Sequence, residues 1–329
     1  MYQARMIPPV QGVEMALRWH AEQDARGIEQ VVLQSASLRL VFLPDLGGRL
    51  WSIFDLARGE EILWHHPTLA PHAVAPGDGY DDAFAGGWDE LFPSDRAANL
   101  DGISFPDHGE WWSQTWAWRV TEDPDALRLT LSGSGLATSH DAVRVITLPR
   151  EGAGFRWQTA ITNTGDAAIP YIWRHHPALP VHPGARLELP AALVEAIAED
   201  PGAISAAPFS WPHARLADGA ARDLSRLPAA NCGEVWMLYA TKLAEGYARL
   251  AWPGVDNGVT HGIAFTFDPA IVSAITTFAT FGGWRDLQTI VPEVGVGYPA
   301  DVREALATGT SGILGVGETV EYEVHVTVW

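Results

Sequence analysis

The chain has 329 residues, of which 47% are hydrophobic and 19% charged, and its formal net charge is −19 at pH 7. Such a composition is typical of a globular protein with a large core, and so acidic a chain lacks the basic face needed to bind nucleic acid or an anionic membrane. The single cysteine, Cys232, excludes an intramolecular disulfide and a cysteine-rich metal site.

The amino-terminal segment, residues 1–20, contains no continuous apolar stretch of the kind that forms a signal peptide. Elsewhere in the sequence no apolar run approaches the ~20 residues that a membrane-spanning helix needs. The use of a single cysteine fits a reducing compartment. We therefore expect a cytoplasmic protein that is not inserted in a membrane.

Apolar and polar residues alternate along much of the chain with a period of two, which indicates β-strands with one face in a core. The alternation is clearest at residues 127–132, 155–162 and 320–328. Further strands are predicted at residues 38–43, 143–148, 235–240, 247–252 and 262–267. A helical pattern is limited to residues 191–199 and 300–306.

The order of these elements predicts the fold class. Many strands with no regular helix between them favour antiparallel sheets over a parallel α/β sheet. The sequence contains no internal repeat and no obvious linker, and residues 202–230, rich in alanine and proline, are predicted to form a long loop. We therefore predict an all-β protein, a large antiparallel β-sandwich formed as a single domain by residues 1–329.

Residues 86–118 are unusually rich in tryptophan and in polar side chains. Five tryptophans lie there among aspartates, glutamates, an arginine and a histidine. A sugar suits such a surface, because its C–H faces stack on indole rings while its hydroxyls need charged and polar partners. The alternative is a tryptophan-rich core layer with its charges turned to solvent, since tryptophan buries a large apolar area in any fold.

Five separated segments, taken in order, resemble the aldose 1-epimerase (galactose mutarotase-like) superfamily, and in particular a divergent branch of it. Together they span residues 43 to 319, and each has a counterpart among the family's motifs. They are LPDLGGRL at 43–50 with IFDLARGEEILW at 53–64, His108-Gly109, WRHHPAL at 173–179, Glu293 with GYPAD at 297–301, and LGVGET at 314–319.

The resemblance implies the family's supersandwich fold and the acid–base opening and reclosing of a sugar ring, with no metal ion or other cofactor. By the matched motifs, Glu293 is the expected general base, His176 the general acid and His108 a second donor near the ring oxygen. If residues 173–177 form a strand, His175 and His176 point to opposite faces. Pro177 matches His176 to the motif.

Other residues are candidates to hold the substrate. Arg96 and Arg174 could bind hydroxyls or an anionic group, because a guanidinium can bind in a bidentate manner, and their alternative role is in ion pairs. Trp88, Trp112 and Trp284 are candidate stacking platforms, although most of the fifteen tryptophans must belong to the core.

The sequence also departs from the family pattern. Residues 299–302, PADV, lack the asparagine that usually follows there, and Asp256 and Asp268 are both possible counterparts of the family's substrate-binding aspartate. These departures leave the sugar undetermined, including whether it carries an acidic group.

The expected function is therefore that of an isomerase acting on a small-molecule carbohydrate, with either a monomer or a homodimer as the assembly. One alternative is a non-catalytic carbohydrate-binding protein on the same fold. Another is a polysaccharide-cleaving lyase or hydrolase, which the short chain and the absent secretion signal disfavour. His65, His66 and His72 lack a fixed metal-ligand spacing, so no metal site is predicted.

Overall fold

The computed structural model describes residues 17–196, 204–254 and 260–329. The elements before residue 150 are β1 (Arg18–Gln23), β2 (Glu29–Gln34), β3 (Leu38–Leu43), β4 (Arg49–Asp55), β5 (Glu60–Glu61), α1 (Tyr80–Ala83), β6 (Trp88–Leu91), β7 (Ala98–Leu100), β8 (Ile103–Phe105), β9 (Ala117–Asp123), β10 (Ala126–Ser134) and β11 (His140–Pro149). Those that follow are β12 (Gly154–Asn163), β13 (Ile169–Tyr171), β14 (Trp173–Pro177), β15 (Leu179–Pro180), β16 (Arg186–Glu188), β17 (Ala191–Ala196), β18 (His213–Arg215), β19 (Ala221–Asp223), β20 (Glu234–Leu243), β21 (Tyr247–Trp252), β22 (His261–Thr266), β23 (Ala274–Phe281), β24 (Gln288–Val296), α2 (Val302–Thr308), β25 (Gly312–Leu314) and β26 (Thr319–Val328).

Two large sheets account for most of these strands. The first has 12 strands in the order β1-β2-β3-β4-β6-β14-β24-β23-β20-β17, with β5 beside β4 and β15 beside β24. The second has 8 strands in the order β16-β21-β22-β26-β12-β11-β10-β9. The paired strands of both sheets run antiparallel. The predicted all-β class and its antiparallel sandwich are confirmed.

The inner faces of the two sheets meet in one hydrophobic core. Trp88 on β6 of the first sheet stacks on Trp157 on β12 of the second, with ring centroids 5.0 Å apart and planes 21° apart. Glu90 lies two residues along β6 and so faces the same way. It accepts hydrogen bonds from Arg144 Nε at 2.8 Å and Thr159 Oγ1 at 2.9 Å. A buried polar cluster thus joins the two sheets inside an apolar core.

Each of the predicted strands falls on a strand of the structure. Residues 38–43 and 247–252 coincide with β3 and β21, and the other predicted strands lie in β10, β11, β12, β20, β22 and β26, with the last residue of 262–267 just beyond β22. The alternation gave reliable predictions because each of these strands turns one face to the core. Within residues 204–230, the predicted loop contains only the short hairpin of β18 and β19.

Of the two predicted helices, one is confirmed and one is wrong. Helix α2 covers Val302–Thr308, close to the predicted 300–306, and begins at Asp301, whose side chain accepts the backbone N–H of Arg303. The predicted helix at 191–199 is instead strand β17 over its first six residues, paired with β20, while residues 197–199 lie outside the described part. Pairing with a sheet edge outweighed the helix propensity of its alanines.

The described segments contain no helix that is both long enough and apolar enough to cross a bilayer.

Candidate functional site

A cavity of about 240 Å³ opens on the face of the first sheet that points away from the second. Strands β14 and β24 pair there, and they bring the side chains of His176 and Glu293 to one wall. His108, on the loop between β8 and β9, also lines the cavity, with its ring centroid 5.4 Å from that of His176. The three residues predicted to perform acid–base chemistry therefore line one cavity, although 117 residues separate His176 from Glu293 along the chain.

The rest of the lining combines charge with flat apolar surface. The acidic members besides Glu293 are Asp81, Asp95 and Asp107, the basic member is Arg96, and the aromatic members are Tyr80, Phe84, Phe278 and Trp284. Aromatic walls with polar groups between them are suited to a ligand that has both C–H faces and hydroxyls.

Strand alternation decides which of the two adjacent histidines reaches the cavity. His176 faces the cavity, whereas His175 faces the core, where its Nδ1 accepts a hydrogen bond from Trp88 Nε1 at 3.1 Å. Burial, the largest influence, lowers the pKa of His175 to about 4, although Glu90 4.0 Å away opposes this. His175 is thus a neutral core residue, and the motif match to His176 agrees with the geometry.

Glu293 shares a guanidinium with a second carboxylate. Arg174 Nη1 contacts both Asp95 Oδ2 and Glu293 Oε2, the latter at 3.4 Å, while its Nη2 donates to Gly297 O at 3.0 Å. Burial and the nearby charge of Asp95 raise the pKa of Glu293 to about 8, against the opposing charges of Arg174 and His108. Glu293 therefore gains or loses a proton close to neutral pH, as a general acid or base must.

His108 is held as a cation. Its Nδ1 lies 2.9 Å from Asp107 Oδ1 and its Nε2 lies 3.9 Å from Asp95 Oδ1, and its ring stacks on Tyr80 with centroids 4.0 Å apart. Burial lowers its pKa, but the hydrogen bond with Asp107 and the charges of Asp95, Asp107 and Glu293 outweigh that effect and raise it to about 9. His108 is consequently the protonated imidazole of the site.

His176 has the opposite character. Burial, followed by the positive charges of His108, Arg49 and Arg174, lowers its pKa well below the ordinary histidine value. Its Nδ1 lies 3.3 Å from the Tyr80 hydroxyl. The site thus combines one cationic imidazole, one neutral imidazole and one carboxyl of raised pKa, and it can both give and take protons.

The predicted substrate-holding residues divide into three groups. Arg96 and Trp284 line the cavity, and Arg174 lies directly behind Glu293 with 1% of its side chain exposed. Trp112 packs edge-on behind Tyr80 and donates to Asp107 O, so it supports the wall without facing the cavity. Trp88 lies in the core between the sheets. The stacking role predicted for Trp88 and Trp112 does not fit these positions.

Of the two candidates for the substrate-binding aspartate, the structure describes only Asp268. Asp268 is exposed and lines a different depression, beside Phe267 and Glu321. Asp256 lies outside the described residues.

Sequence analysis did not identify Tyr80 and Asp95 as site residues. Tyr80 precedes the tryptophan-rich stretch at 86–118, and Asp95 lies within that stretch with no periodic pattern around it. The one available signal was their position in or near the stretch of polar and aromatic residues.

Within the described ranges, no group of three or more His, Cys, Asp or Glu side chains is arranged to hold a metal ion.

Comparison with known structures identifies the fold. The Slr1438 protein of Synechocystis sp. PCC 6803 matches with a TM-score of 0.64 over 100% of this chain and 99% of that one, at 18% identity. A proposed aldose 1-epimerase from Klebsiella pneumoniae matches with a TM-score of 0.69 over 95% of this chain and 83% of that one, at 13% identity.

A galactose mutarotase-like protein from Clostridium acetobutylicum matches with a TM-score of 0.63 over 95% of this chain and 98% of that one, at 13% identity. No protein-family model and no curated protein matches the sequence. The chain has the galactose mutarotase-like fold that the sequence motifs implied, and identities this low establish the fold alone.

Proposed function

We propose that this protein interconverts the anomers of a sugar by opening and reclosing the ring through general acid–base catalysis. The observation that carries the proposal is the convergence of Glu293, His108 and His176 on one cavity with aromatic walls. The similarity of the fold to a proposed aldose 1-epimerase and to a galactose mutarotase-like protein supports the same reaction class. The ligand is accordingly a small carbohydrate.

The reaction requires two proton transfers around one bond. Glu293, once ionised, takes the proton of the anomeric hydroxyl, so that O1 and C1 form the carbonyl group. The bond between C1 and the ring oxygen breaks, and its electron pair stays on the ring oxygen, which takes the proton of His108 Nε2. Rotation about C1–C2 presents the other face of the aldehyde. The same steps in reverse close the ring and return both protons.

The electrostatics of the site favour His108 as the acid, where the sequence motifs assigned that role to His176. A general acid must carry its proton at the working pH, and the carboxylates beside His108 keep its imidazole protonated. His176 is neutral because it is buried among positive charges. In this proposal His176 contacts the substrate without supplying the proton.

The walls of the cavity serve to place the ring. Phe278 and Trp284 lie edge to face, 5.5 Å between centroids, and offer apolar surface to the C–H face of a sugar. Arg96, at the rim, is suited to hold hydroxyl groups. We further propose that the protein is a single domain located in the cytoplasm and that it binds neither nucleic acid nor a membrane. The single cysteine of the chain is consistent with that location.

Anomer exchange measured by saturation-transfer NMR tests this function. The panel includes neutral aldohexoses and aldopentoses, uronic acids and a hexose 6-phosphate, each with wild type, Glu293→Gln and Glu304→Gln. Glu304 is an exposed residue of α2 and serves as the matched control. We expect at least one sugar to exchange faster than in buffer alone, Glu293→Gln to reduce the enhancement by at least ~10²-fold, and the control to retain it.

One observation favours a second function. The cavity combines aromatic walls with charged and polar side chains, which would also suit a carbohydrate-binding protein with no turnover. Line broadening of a sugar without faster exchange, from neutral to mildly alkaline pH, would establish binding alone and reject Glu293 as a base.

A further inference from the structure

Four buried side chains form a linear series that ends at His176. Arg49 Nε donates to Asp89 Oδ1 at 2.8 Å, the Tyr80 hydroxyl donates to Asp89 Oδ2 at 2.8 Å, and the Tyr80 oxygen lies 3.3 Å from His176 Nδ1. Each of the four is at most 4% exposed. The proposed reaction uses none of Arg49, Asp89 and Tyr80, so their arrangement needs a separate explanation.

The direction of each hydrogen bond follows from what each group can do. A carboxylate has only acceptor atoms and a guanidinium has only donors, so the ion pair with Arg49 keeps Asp89 as an acceptor. The tyrosine hydroxyl has one proton, and Asp89 receives it. The Tyr80 oxygen can then only accept from His176, and Nδ1 must carry the hydrogen. In a neutral imidazole with Nδ1–H, the other nitrogen has a free lone pair.

We propose that Tyr80 is a positioning residue that holds His176 in its Nδ1–H tautomer, so that Nε2 meets the ligand as a hydrogen-bond acceptor. The natural partner of such an acceptor is a hydroxyl donor of the sugar. The inference rests on the proposed function only for that partner, because the tautomer is a property of the protein without ligand.

The surroundings of His176 hold it neutral and fix its ring. Tyr80, Phe84 and His108 pack edge-on around the imidazole, with centroids 5.4, 5.6 and 5.4 Å away and planes 85°, 83° and 83° apart. The facing charges of His108, Arg49 and Arg174 oppose a further positive charge, and burial lowers the pKa in the same direction. Because the His176 ring is neutral and held in one orientation, only the tautomer with its hydrogen on Nδ1 can donate a hydrogen bond to the Tyr80 oxygen.

This assignment makes His176 a determinant of specificity. A buried acceptor aimed at a substrate hydroxyl rejects an analogue without that hydroxyl, because the analogue leaves the acceptor unpaired and desolvated. We expect one deoxy or O-methyl derivative of the best sugar to bind roughly tenfold more weakly or worse for this reason. A sugar whose hydroxyl at that place is intact keeps its affinity.

The decisive measurement is the tautomer of His176 in the wild-type protein. Two-bond ¹H–¹⁵N correlation spectra of ¹⁵N-histidine-labelled protein at neutral pH separate the two neutral tautomers and the cation. The His176 signals are those that vanish in His176→Gln. We expect a protonated, pyrrole-type Nδ1 and an unprotonated, pyridine-type Nε2. The Nε2–H tautomer, or an imidazolium, would overturn the proposal.

Tyr80→Phe then tests the cause. It removes the acceptor for Nδ1–H, and we expect the His176 signals to move toward averaging between tautomers. Where turnover is present, we expect KM to rise more than kcat falls. Tyr322→Phe is the matched control, since Tyr322 is also buried and donates to Val294 O at 3.0 Å on the core side. An unchanged His176 spectrum in folded Tyr80→Phe would reject the role of Tyr80.

The two proposals fail separately. The spectrum of ligand-free wild type decides the tautomer even if Tyr80→Phe does not fold or no sugar is turned over. Conversely, anomer exchange that depends on Glu293 stands whichever tautomer His176 has.

Discussion

At the scale of single residues, the site is a set of ionisable groups that control one another's charge. Asp107 and Asp95 favour the cation of His108, and Asp95 opposes ionisation of Glu293. Asp95 thus raises the pKa of both the proposed base and the proposed acid, in addition to the burial of Glu293 and the charge of Asp107 beside His108. That arrangement moves the working range of the reaction above neutral pH.

The pH profile of kcat/KM for anomer exchange follows from these two groups. Glu293 must be ionised, so activity should rise with pH through a pKa of about 8. His108 must be protonated, so activity should fall as pH rises through about 9. We expect a narrow bell-shaped profile on the alkaline side of neutral, measured by exchange NMR across the range. A profile that falls steadily from neutral pH upward would instead make Glu293 the acid.

Asp107→Asn provides the matched test of the alkaline limb. The substitution removes the charge that Asp107 places 2.9 Å from His108 Nδ1, so the pKa of His108 should fall and the alkaline limb should move to lower pH. The larger influences on the pKa of Glu293 are burial, Asp95, Arg174 and His108, so the acid limb should move less than the alkaline limb. Movement of the acid limb alone would show that the limbs are wrongly assigned.

At the scale of elements, the loop that carries His108 has an unusual backbone. His108 and Gly109 both have a left-handed backbone conformation, with φ of 54° and 76°. Residues other than glycine rarely adopt this conformation. The backbone N–H of His108 donates to Asp95 O at 2.6 Å, and that of Glu110 donates to Phe92 O at 2.8 Å. These bonds tie the loop to the chain after β6, which fixes the direction of the imidazole.

Gly109→Ala should therefore destabilise the protein and misplace His108. A methyl group at Gly109 would overlap the backbone of Phe92. We therefore expect the free energy of unfolding to fall by more than the ~1–2 kcal/mol that a left-handed alanine costs by itself. Gly102→Ala is the control, since Gly102 also has positive φ, 85°, but no atom lies within 4 Å of the added methyl. Equal losses in denaturant unfolding would refute the packing argument.

Element-scale patterns also explain how far the sequence could predict the structure. Alternation identified the strands because each buries one face. The motif order selected Glu293, His108 and His176, which line one cavity in the structure, and their catalytic roles stay predictions. The helix expected at 191–199 failed because local propensity does not register the pairing of β17 with β20.

The stacking role predicted for Trp88 was wrong because β6 is buried on both faces, and no sequence pattern distinguishes the cavity side from the core side. Tyr80 and Asp95 come from segments without periodicity.

At the scale of the whole molecule, the polar cluster around Glu90 connects the two sheets. Besides Arg144 and Thr159, the carboxylate accepts hydrogen bonds from Trp157 Nε1 at 3.1 Å and Trp173 Nε1 at 2.7 Å. Burial opposes its ionisation, but the charge of Arg144 and the hydrogen bonds from Trp173 and Thr159 prevail and lower the pKa of Glu90. An ionised carboxylate in the core thus sets how β6 of one sheet lies over β11 and β12 of the other.

Glu90→Gln should be strongly destabilising. It leaves the Arg144 guanidinium buried without its counter-charge, and breaking a buried pair in this way typically costs ~3–5 kcal/mol. Glu234→Gln is the matched control, because its partner Arg222 also lies 2.8 Å away but both side chains are about one-fifth exposed, and such a pair contributes only ~0–1 kcal/mol. Urea unfolding of both variants measures the difference, and a loss of less than 1 kcal/mol for Glu90→Gln would contradict the account.

The stack of Trp88 on Trp157 has a spectroscopic consequence. One indole belongs to each sheet, and at 5.0 Å in nearly parallel planes their excited states must couple. Coupled indoles give paired bands of opposite sign in circular dichroism, whose strength falls steeply as the rings separate. The protein thus contains an intrinsic optical reporter of the distance between its two layers, which would register their separation even while each sheet kept its own hydrogen bonds.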